Sequence, residues 1–132
     1  MIIVENDLNV EEYRFLRKNC GLSEKSAEAA QTGLKNSLYS VKLQKDGQTI
    51  GMGRMVGDGG AFCQIVDICV LPKFQGNGLG KKIMEKLMEY AKTLPESCYI
   101  SLIADGEAHR LYKKFGFEDV FPKSRGMGLR MH

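Results

Sequence analysis

Residues 62–103 constrain the fold more than any other part of the chain. They open with an apolar, β-branched run (62–71), pass through Gln75-Gly76-Asn77-Gly78-Leu79-Gly80-Lys81-Lys82, and continue into a helical repeat. Leu79, Ile83, Leu87, Tyr90 or Ala91, and Leu94 recur there at helical spacing, with Lys82, Glu85, Lys86 and Glu89 on the opposite side. Pro95 stops that helix, and 99–103 reads as a buried strand. A strand, a crossover helix and a second strand put two parallel strands into one sheet. The glycines fall where the strand turns into the helix, and a turn of that kind exposes backbone N–H groups.

The rest of the chain supplies neighbours for this pair. Residues 1–4 read as a short strand. Asn9 and Glu12 have the spacing of a capping box, which predicts a helix to about Cys20 that Gly21 ends. Ser23 is expected to cap a second helix, 24–36, with Gly33 inside it. From Leu38 the period becomes two: strands 39–44 and 49–55 flank Lys45-Asp46-Gly47-Gln48, a strong hairpin signal, and Gly57-Asp58-Gly59-Gly60 turns the chain into the 62–71 strand. Downstream, 107–114 reads as a short helix, and 117–121 and 127–131 as two last strands. The order β-α-α-β-β-β-α-β-α-β-β predicts one α/β (α+β) domain over 1–132. Its sheet is mixed, mostly antiparallel and of six to seven strands, with about four helices on its faces.

Composition narrows the partners. A chain of 132 residues with 43% hydrophobic and 27% charged residues suits one ordinary domain with a real core. A formal charge of +3 suits an anionic small molecule and falls well short of the basic surface that nucleic acid requires. Cys20, Cys63, Cys69 and Cys98 form no CxxC pair, and three of them lie in apolar runs, so a reducing cytoplasm is the expected setting and no metal is expected. No stretch has the apolar length of a membrane span, and residues 1–5 lack the basic start of an export signal, so no membrane partner is expected.

Spacing separates three ways in which the glycine turn could hold a phosphate. A P-loop needs Gly at 75 and Ser or Thr at 82, where this chain has Gln75 and Lys82. A dinucleotide fingerprint starting at Gly76 needs Gly at 81, which is Lys, and opens a fold at its first strand. The pattern Q/R-x-x-G-x-G/A is met by Gln75, Gly78 and Gly80. Absent side chains there let a pyrophosphate lie against successive N–H groups at the positive end of a helix.

This turn looks like the acyl-CoA-binding motif of the GNAT superfamily of N-acetyltransferases, and the element order resembles that fold over nearly the whole chain. A second match, Leu111-Tyr112-Lys113-Lys114-Phe115-Gly116-Phe117, is similar to the family's L-Y-x-x-x-G-F. The resemblance implies that N–H groups from Gln75 and Gly76 through Asn77, Gly78, Leu79, Gly80 and Lys81 hold the CoA pyrophosphate. It also implies a fourth strand splayed from the fifth, pairing Ile68, Cys69 and Val70 with the pantetheine arm. Tyr112 is implied as the proton donor to the departing thiolate. Where the family often carries Asn, this chain has Asp105, an anion, beside the expected cofactor.

What that chemistry requires can be stated separately. CoA's phosphates need donors and positive charge, which Lys81 and Lys82 add beside the N–H groups. A thiolate leaving group is helped by a phenol within hydrogen-bond reach. The acceptor, a primary amine of a small molecule or a protein, must lose a proton before attack, to Asp67 or to a water. The oxyanion is expected on a backbone N–H near Val70. His109, beside Tyr112 at helical spacing, is read as a surface or packing residue. Cys69 is read as packing, because an acyl-enzyme needs an activated thiolate with a partner. The expected reaction is direct transfer from acetyl-CoA in a ternary complex. The alternative is a non-catalytic acyl-CoA-binding module on the same fold, and the apolar C-terminal strand is compatible with a homodimer.

Overall fold

The computed structural model describes every residue from Met1 to His132. They form two compact units, Met1–Leu102 and Ile103–His132. The first unit contains β1 (Ile2–Glu5), α1 (Val10–Asn19), α2 (Ala27–Lys35), β2 (Tyr39–Lys45), β3 (Gln48–Gly57), β4 (Phe62–Val70), a 3₁₀ turn (Pro72–Phe74), α3 (Leu79–Ala91) and β5 (Tyr99–Leu102). The strands lie in the order β1-β2-β3-β4-β5. The first three pairings are antiparallel and β4–β5 is parallel, the mixed sheet that the crossover predicts.

Local chemistry accounts for the turns. Asp46 and Gly47 both have positive φ, 51° and 79°, as a two-residue hairpin that matches strand twist requires. Between β3 and β4, one Asp58 carboxylate oxygen accepts from the N–H groups of Gly60, Ala61 and Phe62 at 2.8, 2.9 and 3.1 Å. Gly57 opens that turn at φ 143°, and a methyl group there would sit 2.4 Å from the Phe62 carbonyl oxygen and 2.7 Å from the Cys63 Cα.

Both halves of the Asn9/Glu12 capping box are formed at the start of α1. Glu12 also accepts from the Lys42 ammonium and the Thr49 hydroxyl, each at 2.7 Å, which ties the helix start to β2 and β3. Burial raises the Glu12 carboxyl's pKa, but these donors outweigh it and leave the pKa below its ordinary value. The second helix starts later than its sequence suggests. Ser26 caps it, because both oxygens of Ser23 are taken by the Arg17 guanidinium.

Successive residues of β3 point to opposite faces and divide the core. Gly53 faces α3, where an added methyl would approach Ile83 Cγ2 to 2.6 Å and Leu87 Cδ1 to 3.0 Å. Arg54, the next residue, faces Tyr13 of α1 and Gly33 of α2. Ile83, Met84 and Leu87 are fully buried on the α3 side, and Leu16 on the α1 side.

The second unit holds one helix, α4 (His109–Lys113), shorter than the expected 107–114. The sheet has five strands and the structure four α-helices, so the expectation of six to seven strands is corrected. Residues 117–121 and 127–131 are not strands. Met127-Gly128-Leu129-Arg130-Met131 has a period of two, but a strand is completed by a neighbour's backbone, and this segment pairs with none.

Gly57→Ala is expected to destabilise the protein by about 3 kcal/mol or more, because its methyl meets backbone that cannot yield. Gly53→Ala is expected to cost less, about 1–3 kcal/mol, because its methyl meets side chains of α3, Ile83 and Leu87, and no backbone atom. Urea unfolding of both variants checks the ranking, and a Gly57→Ala protein as stable as the parent would contradict it.

Candidate functional site

The β3–β4 register changes by one residue between Met52↔Cys69 and Arg54↔Val66, so Asp67 and Ile68 together lie opposite Gly53. This is a β-bulge, and its first residue, Asp67, takes a left-handed φ of 62°. Aspartate tolerates that conformation better than most side chains. Its carboxylate is nearly fully buried, with 4% of the side chain exposed.

Two guanidiniums and a phenol meet that carboxylate. One oxygen accepts from Arg17 Nη1 and, at 3.0 Å, from the Tyr13 hydroxyl; the other accepts from Arg54 Nε at 2.8 Å. The remaining N–H groups of the arginines run outward. Arg17 donates to the Ser23 carbonyl and hydroxyl at 2.7 and 3.0 Å, and Arg54 to the Gly33 carbonyl and Ser37 hydroxyl at 2.8 and 2.9 Å. Both guanidiniums also lie over the Tyr13 ring, with carbon-to-centroid distances of 6.0 and 5.4 Å. Burial, then the Asp67 charge, raises the Tyr13 phenol's pKa, so it stays protonated and donates. The cluster binds α1, the α1–α2 loop, α2, β3 and β4 at one point. Every carboxylate oxygen in it is already engaged, an arrangement that braces the strand.

Beyond the bulge β4 is paired on one side only. Its parallel pairing with β5 ends at Ile65↔Leu102, while pairing with β3 continues to Val70. The Leu71 N–H donates to Ile50, so Leu71 and, two residues back, Cys69 turn their backbone toward β3. By alternation Ile68 and Val70 turn theirs to the open edge. The Val70 carbonyl there receives the Gln75 side chain at 2.9 Å, which ties strand end to turn. The Cys69 thiol is buried, and a hydrogen bond with Cys20, then burial, pushes its pKa far up; it has the character of packing.

The Gln75 N–H is taken by the Pro72 carbonyl at 3.2 Å, so the open part of the turn begins at Gly76. Gly76 and Gly78 have φ of 83° and 74°, and a methyl on either would meet nothing within 4 Å. Glycine is needed there for backbone conformation, and the outer side is open to a ligand. Gly78 is the N-cap of α3 and brings no side-chain cap, so the first-turn N–H groups of Leu79, Gly80 and Lys81 take none. Leu79 is buried and anchors the helix start, while Lys81 and Lys82 are exposed. The Asn77 amide donates to the Phe74 and Gln75 carbonyls at 3.2 and 3.4 Å and closes the turn on itself.

In the second unit Tyr112 is the buried residue of α4, and its carbonyl accepts from the N–H groups of Phe115 and Phe117. Gly116 reverses the chain between them at φ 95°. His109 Nε2 is 3.4 Å from Glu107, and Lys113 pairs with Asp119 at 3.3 Å. The Asp105 carbonyl accepts from the Ala108 N–H in the turn before α4.

A family profile described as an acetyltransferase (GNAT) domain matches residues 11–132. The chain belongs to the GNAT family. Its sequence is 30% identical over 115 residues to the uncharacterized N-acetyltransferase ycf52 of Pyropia yezoensis, covering 84% of this chain and 66% of that protein. It is 39% identical over 75 residues to the chloroplastic GCN5-related N-acetyltransferase 2 of Arabidopsis thaliana, covering 57% of this chain and 29% of that one. This GNAT chain therefore spans about two thirds or less of the length of these relatives. A 1.7 Å crystal structure of the protein of unknown function SA2161 from meticillin-resistant Staphylococcus aureus has 47% identity and a TM-score of 0.92, over 98% of this chain and 100% of that one.

Sequence reasoning missed Arg17, Arg54 and Tyr13. A signal was present, since Arg54 interrupts the apolar strand Gly51-Met52-Gly53-Arg54-Met55, and a charge in a buried strand needs a partner. In this GNAT chain Asp67→Asn is expected to cost about 3–5 kcal/mol of stability by leaving two buried guanidiniums short of their counter-charge. Urea unfolding tests this. A loss under about 0.5 kcal/mol combined with abolished activity would instead assign Asp67 to proton abstraction.

Proposed function

We propose that this GNAT domain transfers an acetyl group from acetyl-CoA directly to a primary amine in a ternary complex. The observation that carries the reading is the unpaired edge of β4 leading into an uncapped helix start. CoA has the matching order of parts, an amide-bearing arm followed by a pyrophosphate. The arm's amides pair with the open backbone of Ile68 and Val70 as an added strand would. The pyrophosphate lies on the N–H groups of Gly76 to Lys81, with the charge of Lys81 and Lys82 beside it.

The chemistry then needs two proton movements. The neutral amine attacks the thioester carbon, with charge on the carbonyl oxygen taken by a β4 backbone N–H near Val70. The carbon–sulfur bond breaks, Tyr112 gives its proton to the thiolate, and the amine's proton leaves through water. Asp67 is here a positioning residue. Its fixed carboxylate holds the bulge, and the bulge sets which backbone groups of β4 face the cofactor. The raised pKa of the Cys69 thiol supports direct transfer over a cysteinyl intermediate. The acceptor is a small-molecule amine or a protein amine.

Purified protein incubated with acetyl-CoA and a panel of amines, with released thiol measured, is expected to turn over with at least one acceptor. Binding of CoA with no turnover on any amine, peptide lysines included, would make the domain a sensor. Tyr112→Phe should keep CoA affinity and lose roughly 10²-fold or more in turnover, most clearly where thiolate departure limits the rate. Equal turnover over the whole pH range would remove Tyr112 from the mechanism.

A further inference from the structure

Two of the four cysteines meet, although their separation in the sequence gives no sign of it. Cys63 is the second residue of β4 and Cys98 the residue before β5. Their sulfur atoms are 3.6 Å apart, with the Cys98 thiol donating to Cys63. The sheet register accounts for the meeting. Cys63 pairs with Ile100, so Cys98, two residues earlier, falls diagonally beside Cys63 on the same face. Both thiols are free; Cys63 is buried and Cys98 is half-buried.

The surroundings deliver the two sulfurs to one place. A methyl at Gly57 would stand 3.1 Å from Cys63 Sγ, so the bare glycine leaves that sulfur its room. Ser97 takes a left-handed φ of 71°, uncommon for a residue with a side chain, and the Cys98 N–H donates to the Pro95 carbonyl at 3.2 Å. This tight turn brings Cys98 back onto β4. No set of three histidine, cysteine or carboxylate groups forms there to hold a metal. A disulfide needs the sulfurs about 1.5 Å closer, a movement open to Cys98 because it lies in a loop.

We propose that Cys63 and Cys98 are a modification site, closed to a disulfide by hydrogen peroxide and reopened by a low-molecular-weight thiol. The Cys98 thiolate, the more accessible of the two, attacks a peroxide oxygen. The O–O bond breaks, the sulfur becomes a sulfenic acid, and the departing hydroxide takes up the thiol's proton as water. The Cys63 sulfur then attacks the Cys98 sulfur, and its proton leaves with the sulfenic hydroxyl as a second water. Two thiols have lost two electrons and two protons, and the peroxide has become two waters. For reopening, an external thiolate attacks one sulfur, and a second external thiol releases it as the small disulfide.

The bond closes a ring of 36 residues, Cys63 to Cys98, that contains nearly all of β4, the glycine turn and the whole of α3. It ties this unit at the end away from the turn. Seven residue steps, about 23 Å of strand, separate Cys63 from Val70, so the open edge and the helix start stay free. Partial burial, then the hydrogen bond to Cys63 and the nearby Asp58 charge, raises the Cys98 pKa. Little thiolate exists at neutral pH, and closure answers sustained exposure to oxidant.

The full chain, reduced and freed of reductant, is exposed to hydrogen peroxide at mildly alkaline pH. One portion is quenched in acid, alkylated and digested for mass spectrometry, and another is unfolded by heat. The expected result is one link, Cys63 to Cys98 within a chain, with a thermal midpoint at least about 5 °C above that of the reduced protein and reversed by dithiothreitol. Cys98→Ser should abolish both the link and the rise, and Cys20→Ser should leave both. Cys98 carried to sulfinic acid with no link would overturn the proposal. So would a link between Cys20 and Cys69 in its place, or a Cys63–Cys98 link that leaves the midpoint unmoved.

Discussion

The meeting of Asp67 with Arg17 and Arg54 is the contact on which the functional half of the sheet depends. Three charges from three separate elements are buried together, and none could be left there alone at a tolerable cost. Because Asp67 is also the first residue of the bulge, the same contact decides where β4 gains its extra residue. Moving that residue by one position would exchange the backbone groups that Ile68 and Val70 turn to the open edge for those of Cys69.

From that point the site follows from ordinary constraints. Parallel pairing with β5 stops before the bulge, which leaves a strand edge without a neighbour. Gln75 ties the end of that edge to the glycine turn, and Gly76 and Gly78 give the turn a backbone path that side chains would strain. Against the other side of the sheet, Gly53 lets α3 settle closely, so the helix start is held beside the strand end. Strand edge and helix start thus lie next to one another, joined through the Gln75 side chain.

The parts legible in the sequence are those whose causes lie within a few residues. The Asn9/Glu12 box, the Asp46-Gly47 hairpin and the glycine turn before α3 are determined by neighbouring chemistry, and all three are found where their spacing places them. The parts not legible depend on distant partners. Ser23 has the composition of a helix cap, but Arg17 claims it and the helix begins at Ser26. Asp67 reads from sequence as a candidate base, and only the fold brings Arg17, Arg54 and Tyr13 to it. Residues 127–131 alternate as a strand should, yet alternation describes side chains, and strand structure needs another backbone.

A crystal structure of the protein with coenzyme A tests the central claim most directly. The expected result is the diphosphate within hydrogen-bond distance of the main-chain nitrogens between Gly76 and Lys81, and the pantetheine arm alongside Ile68 and Val70. Density for the ligand at any other place, with the turn vacant, would contradict it.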